Sequence, residues 1–169
     1  MVRVQSEPLD VAAAFSAFAR GRTDVGGIAS FVGLVRDEQG GERVLAMTLE
    51  HYAGMTERQL AAIEAEARRR WPLQDSLVVH RVGRMLPGEA IVLVATASAH
   101  RDAALAACAF LIDWLKMKAP FWKLEETPAG DRWVEARTTD VAAAARWERA
   151  TNSPPQPADN LDRPPISSS

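Results

Sequence analysis

Apolar positions repeat along the chain with two alternating periods. From Asp10 to Ala19 the spacing is helical, with Phe15 and Phe18 on one side and Gly21 just past the end. Val25 to Val35 is rich in Gly, Ile, Phe and Val and predicts a strand. Gly40-Gly41 makes a turn, and Val44 to Tyr52 predicts the returning strand. Thr56 followed by Gln59 has the spacing of a capping box and opens a helix to about Arg70, with Leu60, Ile63 and Ala67 on one face. Leu77 to Val82 and Ala90 to Ala97 are apolar strands joined around Leu-Pro-Gly-Glu, a hairpin signal.

The longest predicted helix runs from Arg101 to Lys118, with Leu105, Cys108, Ile112 and Leu115 as its stripe and Pro120 as its stop. Phe121 to Glu126 and Arg132 to Ala136 flank Pro-Ala-Gly-Asp, a second hairpin. An Ala-rich helix follows over about Thr139 to Arg149. Hairpins dominate and strict βαβ alternation is missing. The chain therefore reads as α+β with largely antiparallel sheets.

Composition sharpens this picture at the C-terminus. Five of the ten prolines fall within residues 151–169, a stretch almost without large apolar side chains. Such a stretch buries too little surface to offset its ordering entropy. The expectation is one folded domain over residues 1–150 and a disordered Pro/Ser-rich tail over 151–169. The whole chain has 169 residues, 47% of them hydrophobic and 25% charged, as in an ordinary globular protein.

Charge and cysteine content then exclude several function classes. The formal net charge is −2, so a chain-wide nucleic-acid footprint is not expected. A single cysteine, Cys108, excludes a disulfide framework and fits a reducing compartment. Neither a secretion signal nor a membrane span is evident, so a cytoplasmic protein is expected. His51, His80 and His100 lack metal-ligand spacing, and no metal site is expected. Phosphate-binding GxxxxGK[ST] and dinucleotide GxGxxG motifs are missing, as is a GxSxG elbow.

The informative chemistry lies between Ser98 and Glu125. His100 and Arg101 fall at a strand-to-helix junction, where free N–H groups and the helix dipole favour an anion. Pairing of Arg101 with Asp102 or Asp113 is the plain alternative. Lys116 and Lys118 close the helix, and Lys123 returns after Ala-Pro-Phe-Trp. Lysines at a helix C-terminus ordinarily complement its dipole. Two lysines flanking an apolar bend are less ordinary, and would carry chemistry if both face one partly dry pocket together with Arg101. Arg36 ends the first strand, beside Gly33, and Arg137 ends the last hairpin. Cys108 lies on an apolar stripe and reads as a buried small hydrophobe.

Seven segments carry a resemblance beyond these local signals. They are FVGLVR (31–36), LEHYAGMTE (49–57), RRWPL (69–73), VVHRVGRMLPGE (78–89), SAHRDAA (98–104), DWLKMKAPFWKLE (113–125) and GDRWVEAR (130–137). Together they resemble the large, catalytic subunit family of molybdopterin synthase, in family order, over about residues 9–150. The resemblance implies an α/β-hammerhead fold. It also implies a homodimer that carries a small ubiquitin-like sulfur-carrier subunit at each end, a heterotetramer in all. The carrier's C-terminal Gly-Gly tail, as a thiocarboxylate, would enter the active site. The reaction implied is sulfur transfer to cyclic pyranopterin monophosphate (precursor Z), giving molybdopterin, with no cofactor, no nucleic acid and no membrane.

By the same resemblance, Lys116 and Lys123 are the catalytic lysines. Arg36, His100 and Arg101 hold substrate, and backbone at Leu34, Val35, Leu124 and Glu125 lines the pocket. Lys118 stands where relatives often carry arginine. Arg137 also matches a family arginine, with reach toward the opposite protomer's pocket. On the residues alone, two alternatives stay open: a metal-independent phosphoester-processing enzyme, and a non-enzymatic scaffold for an acidic or C-terminal peptide tail.

Overall fold

A computed structural model of the chain describes residues 1–134 and Trp147. The predicted helix at 139–149 (save Trp147), the tail at 151–169 and Arg137 lie outside the described residues. The elements run β1 (Val2–Gln5), α1 (Val11–Ala19), β2 (Gly27–Leu34), β3 (Glu38–Gln39), β4 (Glu42–Arg43), β5 (Ala46–His51), α2 (Met55–Arg70), β6 (Leu73–Arg81), β7 (Gly83–Met85), β8 (Ala90–Ser98), α3 (Arg101–Lys118), β9 (Phe121–Thr127) and β10 (Gly130–Val134). This is an α+β architecture.

One sheet has the order β1-β6-β8-β2 and a second the order β10-β9-β5-β7, while β3 and β4 form a small separate hairpin. All pairings are antiparallel except β1 with β6. The expected β2–β5 pairing does not occur: β2 pairs with β8, and β5 with β7 and β9. Strand patterning reports which face is buried and not which strand lies alongside.

The first sheet is buried on both faces, which explains the unbroken apolar run of β8. Val92 and Val94 turn to one side, against Leu60, Ile63 and Ala67 of α2 and Leu111 and Leu115 of α3. Leu93, Ala95 and Ala97 turn to the other, against Phe18 of α1. Helix α3 has the bounds its pattern predicts. Its buried residues, however, are Ala104, Ala107, Cys108, Phe110, Leu111 and Leu115, and Leu105 is left 60% exposed. The small alanines permit close approach to the sheet, so the helix turns that side inward.

Helix α2 starts two residues earlier than the Thr56–Gln59 pattern suggests. Gly54 is the cap, at φ 79°, and its N–H donates to the Glu57 carboxylate at 2.5 Å. Thr56 is buried within the first turn instead. Among the described residues, no helix is long and apolar enough to cross a membrane.

Candidate active site

The two sheets and the end of α3 enclose a cavity of about 770 Å³. Its walls are mostly apolar, with Val35, Met47, Leu49, Leu115 and Phe121 prominent. Into this lining come three cations from three separate parts of the chain: Arg36, Lys116 and Lys123. A more open depression of about 960 Å³ lies between β1 and α1, but its lining mixes acids and bases without a cationic cluster.

Local chain geometry delivers each cation. The β2 register slips between Gly33 and Leu34, which turns the strand end toward the cavity. Gly33 is needed there, because a Cβ would lie 2.8 Å from Val92 Cγ1. Val35 is then tied back by its N–H to the Glu89 carbonyl at 3.0 Å, and Arg36 follows at the rim. Lys116 stands in the last turn of α3 before Pro120 stops the helix. Lys123 belongs to β9, whose alternation puts Phe121, Lys123 and Glu125 on the cavity side.

Arg36 and Lys123 are held by a polar network. The Gln39 side-chain oxygen accepts from Arg36 Nη2 at 2.8 Å and from Lys123 Nζ at 3.1 Å. Lys123 also pairs with Glu125 Oε1 at 2.6 Å. Glu125 is 1% exposed and accepts from Arg132 Nη2 at 2.9 Å. Burial acts to raise the Glu125 carboxyl, but Lys123 and Arg132 outweigh it and hold the group below its ordinary range. Arg132 reaches on to Glu42 at 2.6 Å and to the Gln39 carbonyl at 3.2 Å, fastening the β3–β4 hairpin to the second sheet.

His80 is part of the cavity wall and stacks on Phe121 with ring centroids 4.0 Å apart. Its Nδ1 lies 3.0 Å from the Arg81 carbonyl, which assigns the proton to that nitrogen. Burial pushes its pKa down to about 4, so the ring is neutral at pH 7. Cys108 is sealed in the core, and burial raises its thiol to about 11. It is no thiolate nucleophile.

The structure thus brings Leu34, Val35, Arg36, Lys116, Lys123 and Glu125 together around one cavity. Four other sequence candidates are elsewhere in the single chain. His100 and Arg101 begin α3, and Lys116 lies fifteen residues further on, or about 22 Å along the axis at 1.5 Å per residue. The Arg101 side chain is 87% exposed, 3.6 Å from Asp102. Lys118 sits over the Trp114 ring at 3.9 Å. Leu124 shares the outer face of β9 with the exposed Trp122, since adjacent strand residues alternate. Glu125 contributes a side chain committed to Lys123 and Arg132, beyond the backbone role expected of it.

Sequence reasoning missed Gln39 and Arg132. Gln39 precedes the Gly40-Gly41 turn and Arg132 lies within GDRW, but neither setting signals the distant partner each one meets. Chemically, three cations and one carboxylate in an apolar-walled hollow suit anionic ligands, because low polarity around them strengthens the attraction.

Comparison with known proteins identifies relatives of the chain. The family model described as MoaE protein matches residues 4–118. The chain is 52% identical over 152 residues to the molybdopterin synthase catalytic subunit of Ralstonia nicotianae, covering 90% of this chain and 86% of that protein. It is 54% identical over 126 residues to the protein of the same name from Escherichia coli, covering 75% and 84%. A solved structure, the molybdopterin biosynthesis MoaE protein from Burkholderia ambifaria, superposes with a TM-score of 0.74 at 52% identity, covering 88% of this chain and 97% of that one.

Proposed function

The chain belongs to the MoaE protein family, the catalytic-subunit family of molybdopterin synthase, and from that premise we propose that its cationic cavity moves sulfur from a carrier protein's thiocarboxylate to a pterin phosphate. The family's activity is enzymatic and belongs to molybdenum-cofactor biosynthesis. The observation that carries the finer reading is the convergence of Arg36, Lys116 and Lys123 on one cavity. Both reactants are anions. Bringing them together on a chain of net charge −2 requires a local concentration of positive charge.

In this reading Arg36 holds the phosphate of cyclic pyranopterin monophosphate. The carrier sulfur forms a bond to a pterin side-chain carbon as that carbon's bond to oxygen breaks, the oxygen leaving with a proton supplied through Lys116; the acyl carbon stays attached to sulfur, giving a tethered thioester. Water then breaks the acyl carbon–sulfur bond, returning the carrier carboxylate and leaving sulfur on the pterin. A second charged carrier repeats the step for the second dithiolene sulfur. Lys116 transfers a proton or polarises the thiocarboxylate carbonyl, and Lys123 stabilises developing negative charge. No thiol of this chain is needed, in keeping with the sealed position of Cys108.

Assembly follows the same reading. A small ubiquitin-like carrier docks so that its C-terminal tail enters the cavity, in the cytoplasm. His100 and Arg101 reach a cavity only across a subunit boundary, so their substrate role requires a second copy of the chain. A homodimer with two carriers satisfies both needs.

The test is incubation of the protein with precursor Z and thiocarboxylated carrier, followed by detection of the dithiolene product. Product that depends on the carrier supports the reading. Phosphate release without carrier would favour a phosphoester-processing enzyme, and carrier binding without conversion would favour a scaffold.

A further inference from the structure

The hairpin formed by β3 and β4 is too short to carry an apolar face, yet it brings the neutral side chain of Gln39 to the cavity at 9% exposure. One oxygen of that side chain is shared by two cations, Arg36 at 2.8 Å and Lys123 at 3.1 Å. An ammonium has three N–H donors in a tetrahedral arrangement. For Lys123, one donor goes to Gln39 and a second to Glu125 at 2.6 Å. Two fixed acceptors set the direction of the third. Arg36 likewise has five donors, of which Gln39 takes one.

We propose that Gln39 is a positioning residue of the anion pocket: its side-chain oxygen ties Arg36 to Lys123 and, with Glu125, orients the Lys123 ammonium so that one N–H is left for bound substrate. A neutral acceptor suits this task. A carboxylate in its place would cancel charge that the pocket keeps for its ligand, while an apolar side chain would let two like charges drift apart. The hairpin itself is fastened from outside the cavity. Arg132 donates to the Gln39 carbonyl at 3.2 Å and to Glu42 at 2.6 Å, and Thr127 donates to Glu42 at 2.9 Å. The position of Gln39 is thus set independently of whether a ligand is bound.

The inference rests on the proposed sulfur-transfer reading, so wild-type conversion of precursor Z by carrier thiocarboxylate is established first, and failure there counts against that reading alone. Gln39→Met and Gln39→Glu are then compared with wild type for KM, kcat and melting temperature. The methionine keeps the length and removes the oxygen. It is expected to raise KM for the pterin about five- to tenfold, with a smaller change in kcat, as for the loss of hydrogen bonds to charged groups. The glutamate is expected to raise KM further at pH 7. That increase should shrink as ionic strength rises and screens the introduced charge, a dependence that a loosened hairpin would not produce. A folded Gln39→Met protein with wild-type KM would overturn the proposal. So would a Gln39→Glu protein whose KM, relative to wild type, does not change with ionic strength, and this second result decides the matter if the methionine variant does not fold.

Discussion

Lys123 and Glu125 stand two residues apart on β9, on the same face, and form an ion pair of 2.6 Å in which the carboxylate is only 1% exposed. A strand places residues i and i+2 side by side, so this pairing follows from the backbone alone. Its consequence is a lysine fixed in position at the cavity wall.

Replacing Glu125 with Gln should therefore weaken both fold and site. Two cations, Lys123 and Arg132, would lose their shared partner. We expect a Tm lower by about 3–6 °C in thermal unfolding, a moderate loss because both cations keep access to water. The acid limb should change too. The folded carboxyl titrates below its ordinary value near 4.5, so the unfolded chain takes up the proton first. The stability contributed by this group is present above about pH 4.5 and is lost as pH falls through the lower folded value. Denaturant unfolding below pH 5 should show a shallower decline in the variant.

His80 gives a separate window. Its folded pKa is about 4 against an ordinary 6.5. Between those values the unfolded chain binds a proton that the folded chain refuses. Stability is therefore full above pH 6.5 and falls toward pH 4, by up to about 3 kcal/mol for this group. His80→Phe, which retains a ring against Phe121, should flatten the urea-unfolding free energy between pH 6.5 and 4.5. An unchanged slope would mean that the imidazole is not neutral in the fold.

Cys108 should be dispensable for sulfur transfer. The thiol is buried, with its pKa near 11, so little thiolate exists at pH 8. Native protein should resist alkylation by iodoacetamide, and Cys108→Ala should retain most of its turnover with thiocarboxylated carrier. Loss of turnover in a folded variant would put a cysteine relay back into the mechanism.

How much of this was legible beforehand depends on how local the cause is. The bounds of α3 follow from helical spacing and Pro120, and the β6–β8 and β9–β10 hairpins from Pro-Gly turn chemistry. The partner of β2 was not legible, because a strand's alternation is the same beside any neighbour. The Gly54 cap was missed because a glycine that takes positive φ competes with the nearby Thr56 pattern. For the site, Lys116 and Lys123 stood out because they flank the Ala-Pro-Phe-Trp bend, whereas Arg36 read as an ordinary strand-end charge and entered only through the family resemblance. Their organisers did not stand out, since Gln39 and Arg132 act through contacts 84 and 93 positions apart in the chain. The separation of His100 from Lys116 follows from helix rise alone, which limits what one copy of the chain can assemble.

The most direct test of the cationic-cavity account is product formation by Lys116→Ala with purified thiocarboxylated carrier and precursor Z. Lys116 lines the cavity and, on this account, acts on the reacting groups themselves. The expected result is a folded protein that still binds carrier but forms dithiolene product at least about a hundredfold more slowly. Turnover near the wild-type rate would contradict the account.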